Sequence, residues 1–207
     1  MKGLHLVTDR GLCAGRSLEE VVARAVQGGV ASVQVREKAG ATRDFVAEAL
    51  RLKALLAPHG IPLIVNDRVD VALAVGAEGV HVGQSDLPCE LARQLMGPKA
   101  IIGLSVETWE DVVRAQDQPV DYLGVSPVFA TPTKTDTRGA WGLEGLARIR
   151  AFSRHPLVAI GGLNDANIEA VVRAGAEGIA VVSALCSAAD PCQAARELNA
   201  LIQAAGR

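Results

Sequence analysis

Short strand patterns that alternate with helical patterns from end to end limit the possible folds of this chain more than any other feature. Eight apolar runs typical of strands are each followed by a segment with helical periodicity, at about 26 residues per unit over 207 residues. Strands and helices that alternate in this way form parallel βαβ units. Eight such units predict an α/β protein with a single (β/α)8 TIM barrel, and we expect one domain over residues 1–207.

The boundaries of these elements follow from the apolar runs and from the residues that start and stop helices. The predicted strands are 4–9, 32–38, 62–67, 79–84, 100–106, 121–127, 157–162 and 178–185. The predicted helices are 17–28, 43–57, 69–75, 89–96, 108–116, 143–152, 166–174 and 191–205. Ser17 is the expected N-cap of the first helix, and Glu20 completes a capping box. A doubly wound open sheet is the alternative fold, but the first turn lacks the G-x-G-x-x-G pattern common in such sheets.

Composition argues against several classes of function. With 49% hydrophobic and 21% charged residues, the chain is too apolar to be disordered. A net charge of -2 gives no general attraction to nucleic acid, and 3% aromatic residues argue against a base-stacking surface. The four cysteines form no C-x-x-C pair, so neither a zinc site nor a disulfide framework is expected. No apolar stretch reaches about 20 residues, so we expect a cytoplasmic protein without a membrane span.

Polar residues collect at the carboxyl ends of the predicted strands. In a (β/α)8 barrel this rim carries the ligand site. On the second predicted strand, Gln34, Arg36 and Lys38 are spaced two apart and therefore share one face. Two cations on a face that points into the barrel mouth predict an anionic ligand, because unpaired charges there are costly. The alternative is a solvated edge strand, which the flanking helices disfavour.

Two carboxylates, Asp67 and Asp86, follow the third and fourth predicted strands. Carboxylates close together raise each other's pKa unless a cation lies between them. Mg²⁺ prefers such oxygen ligands and often shares them with substrate phosphates. Beside the cations of the second strand, the pair therefore predicts a Mg²⁺–diphosphate site. The alternatives are a helix N-cap for Asp67 and a turn residue before Pro88 for Asp86.

The segment 129–142 is the longest without a strand or helical pattern, and long loops in compact domains often carry function. Thr131, Thr133 and Lys134 offer hydroxyl and ammonium donors there, and the alternative is a surface loop without a role in binding. Residues 161–162 and 182–183 lie at the ends of the last two predicted strands. Loops at these two places in a barrel commonly bind phosphate through backbone N–H groups, so we expect a phosphomonoester site.

Eight ordered motifs give the chain a resemblance to the thiamine-phosphate synthase family over nearly its whole length. They are LVTD at 6–9, QVREK at 34–38, VNDRVD at 65–70, GVHVGQSDL at 79–87, IGLS at 102–105, GVSPVFATPTK at 124–134, IGG at 160–162 and VVSA at 181–184. The resemblance implies a transferase that joins hydroxymethylpyrimidine diphosphate to thiazole phosphate, or to its carboxylated form, and releases diphosphate. It also implies one Mg²⁺ per subunit, small-molecule substrates and no nucleic-acid or membrane partner, and it is compatible with a homodimer.

The resemblance further implies a role for each matching residue. The site for the pyrimidine and its diphosphate would comprise Gln34, Arg36, Lys38, Asn66, Ser105 and Lys134. Of these, the catalytic residues would be Arg36, Lys38, Ser105 and Lys134. The Mg²⁺ ligands would be Asp67 and Asp86. The thiazole phosphate site would comprise Thr131, Pro132, Thr133, Gly162, Val182 and Ser183.

Three other functions are compatible with a barrel of this type. A thiazole tautomerase of the same barrel family is the main alternative. Such tautomerases have a catalytic His two residues after the serine of strand five, and this chain has Glu107 at that position. An aldolase would use Lys38, the strand lysine at the rim, for a Schiff base. A noncatalytic phosphate-binding barrel would need the glycine corner but not the two carboxylates. His5 and His81 are interpreted as packing residues of the barrel and the cysteines as small hydrophobic residues.

Overall fold

In the computed structural model, which describes residues 1–131 and 139–206, eight parallel strands close into a barrel in sequence order. The strands are β1 Gly3–Val7, β2 Ser32–Val35, β3 Leu63–Asn66, β4 Gly79–Val82, β5 Ile101–Val106, β6 Tyr122–Val125, β7 Leu157–Ile160 and β8 Gly178–Val181. β1 pairs with both β2 and β8, which closes the sheet. The predicted (β/α)8 fold is confirmed.

Helices follow the strands and surround the barrel. They are α1 Leu18–Gln27, α2 Thr42–Leu56, α3 Val69–Val75, α4 Cys89–Met96, α5 Trp109–Ala115, α6 Gly142–Phe152, α7 Ile168–Arg173, α8 Ser183–Cys186 and α9 Pro191–Ala205. Two short 3-10 segments lie at Arg10–Leu12 and Ala57–His59. Each helix in the described ranges is too short or too polar to cross a lipid bilayer.

Several strands end earlier than their apolar patterns predicted. β2 ends at Val35, so Arg36 and Lys38 lie in the loop that follows it. The eighth strand was predicted over 178–185, but β8 ends at Val181, and residues 183–185 of the predicted strand belong to α8. The reason is that the chain leaves the strand ladder near the rim, where each loop begins. The polar residues of the rim are therefore carried mainly by loops that start at strand ends.

The N-cap predicted at Ser17 is confirmed, but the capping box predicted there is not. The Ser17 side chain accepts a hydrogen bond from the Glu20 N–H at 3.1 Å, as expected of an N-cap. Among the described residues, however, both halves of a capping box are found at α5 and not at α1. There Thr108 accepts from the N–H of Asp111, and Asp111 accepts from the N–H of Thr108. Aspartate thus takes the place that the capping-box pattern assigns to Glu or Gln.

The main apolar core lies between the sheet and the helices. On β1, Leu4 and Leu6 belong to this core together with Val21 and Val22 of α1. The intervening His5 points to the inside of the barrel, where it lines a cavity. The apolar cluster inside the barrel is small and comprises Val7, Tyr122, Val158 and Ala180. The barrel interior therefore leaves room for a site.

Candidate active site

A cavity of about 960 Å³ opens at the carboxyl ends of the strands and extends through the barrel as far as Met1. All eight strands contribute to its wall. Small inward residues such as Gly124 and Ala180 keep this space open. A concave site of this size, with apolar and polar walls, suits a small-molecule ligand.

Every predicted site residue within the described ranges lines this cavity. These residues are Gln34, Arg36, Lys38, Asn66, Asp67, Asp86, Ser105, Thr131, Gly162, Val182 and Ser183. The remaining three, Pro132, Thr133 and Lys134, lie outside the described residues. The structure thus brings residues from the ends of β2 to β8 together around one space.

Lys38 and Asp67 form an ion pair at the rim, with 2.5 Å between Nζ and Oδ2. Asp67 has a left-handed φ of 62°, which is uncommon for a residue with a side chain. Its N–H donates to the carbonyl of His81 at 2.8 Å. The N-cap position of α3 is Arg68, without a side-chain cap in the described part of the chain, so Asp67 does not cap that helix. Asp67 instead faces Lys38 and the cavity.

Asp86 lies beside Asp67 and is anchored by a turn. Its Oδ2 accepts a hydrogen bond from the Gly83 N–H at 2.7 Å, so the turn role considered for Asp86 is present. Burial raises the pKa of the Asp86 carboxyl, and the charge of Asp67 raises it further. Lys38 and the Gly83 hydrogen bond act in the opposite direction on this pKa. The Asp67 carboxylate is therefore close enough to disfavour the charged form of Asp86.

This donor set fits a hard divalent cation. Within residues 1–131 and 139–206, no group of three or more His, Cys, Asp or Glu side chains is placed to hold a metal. Mg²⁺ does not require such a cage, because it commonly keeps several waters and binds one or two carboxylates plus substrate phosphates. The charge of Asp67 raises the pKa of Asp86, and a cation between the two carboxyl groups would relieve this effect.

Two further residues present donors at the mouth. The hydroxyl oxygen of Thr8 accepts the Arg36 N–H at 3.0 Å, which fixes the backbone where Arg36 enters the loop. The Asn66 side chain at the end of β3 is buried, and its Nδ2 has no hydrogen-bond partner among the described residues. A buried amide without a partner is costly, so this donor is suited to an acceptor atom of a ligand.

The corner formed after β7 and β8 has a tightly packed backbone. Gly161 and Gly162 have left-handed φ values of 103° and 66°. A Cβ atom at Gly162 would lie 2.8 Å from the carbonyl oxygen of Ala130, so a larger residue does not fit there. The Asn167 side chain donates to the Gly162 carbonyl at 2.9 Å and holds this turn in place. Ser183 begins α8 on the neighbouring strand end.

The floor of the site contains a polar chain that the sequence analysis did not predict. His81 Nε2 lies 2.8 Å from Ser105 Oγ, and His81 Nδ1 lies 2.9 Å from the hydroxyl of Tyr122. His81 was interpreted as a packing residue, and the structure shows that both of its ring nitrogens are hydrogen-bonded. The sequence did carry a signal for this role. His81 lies two residues before Gly83 and so shares the inward face of β4, which lines the cavity.

The chain is similar to known proteins over nearly its whole length. A family model described as thiamine monophosphate synthase matches residues 4–185. A thiamine-phosphate synthase from Albidiferax ferrireducens is 63% identical over 201 residues, which cover 97% of this chain and 92% of the relative. One from Vibrio parahaemolyticus is 51% identical over 199 residues, covering 96% and 97%.

Solved structures give the same picture. Thiamine phosphate pyrophosphorylase from Pyrococcus furiosus superposes with a TM-score of 0.89 at 39% identity, covering 98% of this chain and 96% of that one. A 3-hexulose-6-phosphate synthase superposes with a TM-score of 0.67 at 22% identity, covering 98% and 100%, and this similarity shows the barrel fold alone.

Proposed function

The chain belongs to the thiamine-phosphate synthase family and is a transferase of thiamine biosynthesis (EC 2.5.1.3), and from this premise we propose that it condenses hydroxymethylpyrimidine diphosphate with thiazole phosphate or its carboxylated form. The products are thiamine phosphate and diphosphate. The observation that carries the proposal is the rim of Arg36, Lys38, Asp67 and Asp86 above one deep cavity. The charged rim thus suits the diphosphate of the substrate, and the cavity below it suits the pyrimidine ring. We place this reaction in the cytoplasm.

The rim residues serve the leaving group. Arg36 and Lys38 hold the diphosphate oxygens, and Asp67 and Asp86 would hold Mg²⁺ beside them. A bound Mg²⁺ supplies positive charge to the diphosphate oxygens and so stabilises the departing group. Lys38 is paired with Asp67, which keeps its ammonium group at the rim. Fixed charges of this kind lower a barrier because they need no rearrangement when charge develops.

Bond breaking precedes bond formation in the proposed reaction. The electron-rich aminopyrimidine stabilises the cation left on the methylene carbon when the C–O bond breaks. The thiazole nitrogen then forms the C–N bond with its own lone pair, so a general base is not required. Asn66 and Ser105 lie below the rim and orient the ring, while the walls of the cavity exclude water.

The second substrate is assigned to the corner after β7 and β8. The backbone at Gly162, Val182 and Ser183 binds the thiazole phosphate, and Thr131 contacts the thiazole from the loop after β6. We retain Pro132, Thr133 and Lys134 in this proposal, with Pro132 and Thr133 on the thiazole side and Lys134 on the diphosphate.

The direct experiment mixes both substrates with Mg²⁺ and measures diphosphate release. We expect release only when both substrates and the metal are present. Asp67→Asn and Asp86→Asn should each lower kcat/KM at least about 100-fold, because each removes part of the charge stabilisation of the leaving group. Asp70→Asn is the matched control, because Asp70 is an exposed carboxylate paired with Arg68.

The outcomes separate the parts of the proposal. Equal activity in EDTA and in Mg²⁺ would show that the metal assignment is wrong. If the two substrates give no thiamine phosphate, the synthase proposal itself is wrong. Isomerisation of a thiazole phosphate in the absence of the pyrimidine would favour the tautomerase alternative.

A further inference from the structure

The hydrogen-bonded chain at the cavity floor links three neighbouring strands. Tyr122 starts β6, His81 lies in β4, and Ser105 lies in β5 between them. The two hydrogen bonds measure 2.9 Å from Tyr122 to His81 Nδ1 and 2.8 Å from His81 Nε2 to Ser105 Oγ. Tyr122 and His81 are buried, and Ser105 reaches the cavity with an intermediate exposure.

The direction of these bonds follows from the Tyr122 hydroxyl. Its hydrogen requires an acceptor, and among the described residues the hydrogen-bond partner of this hydroxyl is His81 Nδ1 alone. Burial raises the pKa of Tyr122 above its usual range, so the phenol keeps its proton. The phenol therefore donates to Nδ1, and the imidazole proton lies on Nε2.

This assignment determines what Ser105 can offer. Because His81 Nε2 carries a hydrogen, it donates to Ser105 Oγ, and the serine cannot donate back. The hydroxyl hydrogen of Ser105 is thus left for the cavity. A serine beside a histidine often indicates a nucleophile with its base, but that reading needs a lone pair on the nitrogen that faces the serine.

We propose that Tyr122 and His81 are positioning residues that make Ser105 a hydrogen-bond donor toward the cavity. The site then selects a ring with an acceptor nitrogen facing the Ser105 hydroxyl and disfavours a ring with an N–H at that place. The proposal rests on the proposed synthase function and specifies which hydrogen bond recognises the pyrimidine ring. It adds two residues to the site, and both act through Ser105 rather than by touching the substrate.

Glycines next to Tyr122 and His81 leave room for these two side chains. A Cβ atom at Gly103 would overlap the Tyr122 ring and His81 Nδ1, and one at Gly124 would lie 2.8 Å from His81 Cε1. Both glycines lie on the strands that carry Ser105 and Tyr122. The Ser105 carbonyl also accepts a hydrogen bond from the Gln84 side chain at 2.8 Å. Ser105 is therefore held through both its side chain and its backbone by residues of β4 and the loop after it.

The first test reads the tautomer of His81 in the wild-type protein by 15N NMR of its imidazole ring. Labelled histidine gives four ring systems, and a His81→Asn variant assigns the one in question. We expect a protonated Nε2 and an unprotonated Nδ1. The reverse tautomer would overturn the proposal, and so would an imidazolium. This measurement requires no turnover and stands even if the synthase proposal fails.

The second test asks whether Tyr122 acts through Ser105. With thiazole phosphate saturating, Tyr122→Phe should raise the KM for the pyrimidine diphosphate about 3- to 10-fold, the range of one neutral hydrogen bond, and leave the KM for thiazole phosphate unchanged. In a Ser105→Ala background, Tyr122→Phe should change the pyrimidine KM less than about 2-fold, because the hydroxyl that it orients is gone.

A matched control comes from a second histidine–serine pair in the same barrel. Ser32 Oγ lies 2.8 Å from His5 Nδ1, away from Ser105. Tyr122→Phe and Ser32→Ala should therefore act additively. If Tyr122→Phe raises the pyrimidine KM as much in the Ser105→Ala background as in the wild type, and the enzyme is otherwise active, the proposal is overturned. Wild-type protein that makes no product would instead count against the synthase function, and the NMR result would then decide the tautomer alone.

Discussion

His5 should make the protein lose stability in mild acid. The side chain lies on the inward face of β1, is 4% exposed, and bonds Ser32 through Nδ1. Its Nε2 has no hydrogen-bond partner among the described residues. Burial, with a smaller contribution from the positive amino terminus, lowers the pKa of His5 from 6.5 to about 4. The folded protein therefore resists protonation of this ring, whereas the unfolded chain does not.

The sign and size of the effect follow from linkage. Above pH 6.5 the ring is neutral in both states, and His5 imposes no penalty on the fold. As the pH falls from 6.5 to about 4, the unfolded chain takes up the proton first and is stabilised. One pKa unit corresponds to about 1.4 kcal/mol, so the free energy of unfolding should fall by about 3 kcal/mol across this window. Below about pH 4 both states are protonated, and the loss is complete.

Urea unfolding at a series of pH values from 7 to 4 measures this loss. His5→Gln removes the titrating ring, so the stability difference between wild type and variant should change by about 3 kcal/mol over the series. Acidic residues titrate in both proteins and cancel in that difference. His59→Gln is the control, because His59 is exposed in the segment after α2, and its curve should run parallel to the wild type. Parallel curves for wild type and His5→Gln would refute the reasoning.

Two further predictions concern the packing of Gly103 and the burial of the four cysteines. Gly103→Ala should lower the free energy of unfolding by about 1–3 kcal/mol in urea titrations, because its methyl group overlaps Tyr122 and His81. Gly206→Ala should have little effect, since its nearest contact is a carbonyl oxygen at 3.4 Å; an equal loss in both variants would contradict the packing account. All four cysteines are buried, and burial raises the pKa of Cys186 to about 12 and that of Cys89 to about 11. The native protein should therefore react negligibly with a disulfide reagent at pH 8, and four thiols should react in denaturant.

The gathering of the rim residues could be predicted because topology alone brings them together. Asp67 and Asp86 follow neighbouring parallel strands, so their proximity needs only the alternation of strands and helices. The same reasoning placed Gln34, Asn66 and Ser105 at one cavity, where the structure has them. Hydrophobic periodicity is a strong signal of strand order and direction, and it requires no knowledge of individual contacts.

The pairings inside the site could not be predicted, because they depend on register and backbone conformation. The bond between His81 and Tyr122 spans β5, where His81 and Tyr122 are both aligned with Gly103. The ion pair between Lys38 and Asp67 accompanies a left-handed φ at Asp67, for which the sequence carries no visible signal. Strand ends were overestimated for a related reason, since apolar residues continue past the last ladder bond into α8.

The separation between the outer apolar core and the open barrel interior affects how this protein can change. In many barrels of this type, layers of branched side chains fill the interior and contribute to folding. Here the large apolar cluster lies outside the sheet, and the inner wall is mostly small or polar. Exchanging one of the small or polar lining side chains for another therefore removes little buried hydrocarbon. Drift or directed evolution can reshape the ligand specificity of such a scaffold while its thermal tolerance stays nearly constant.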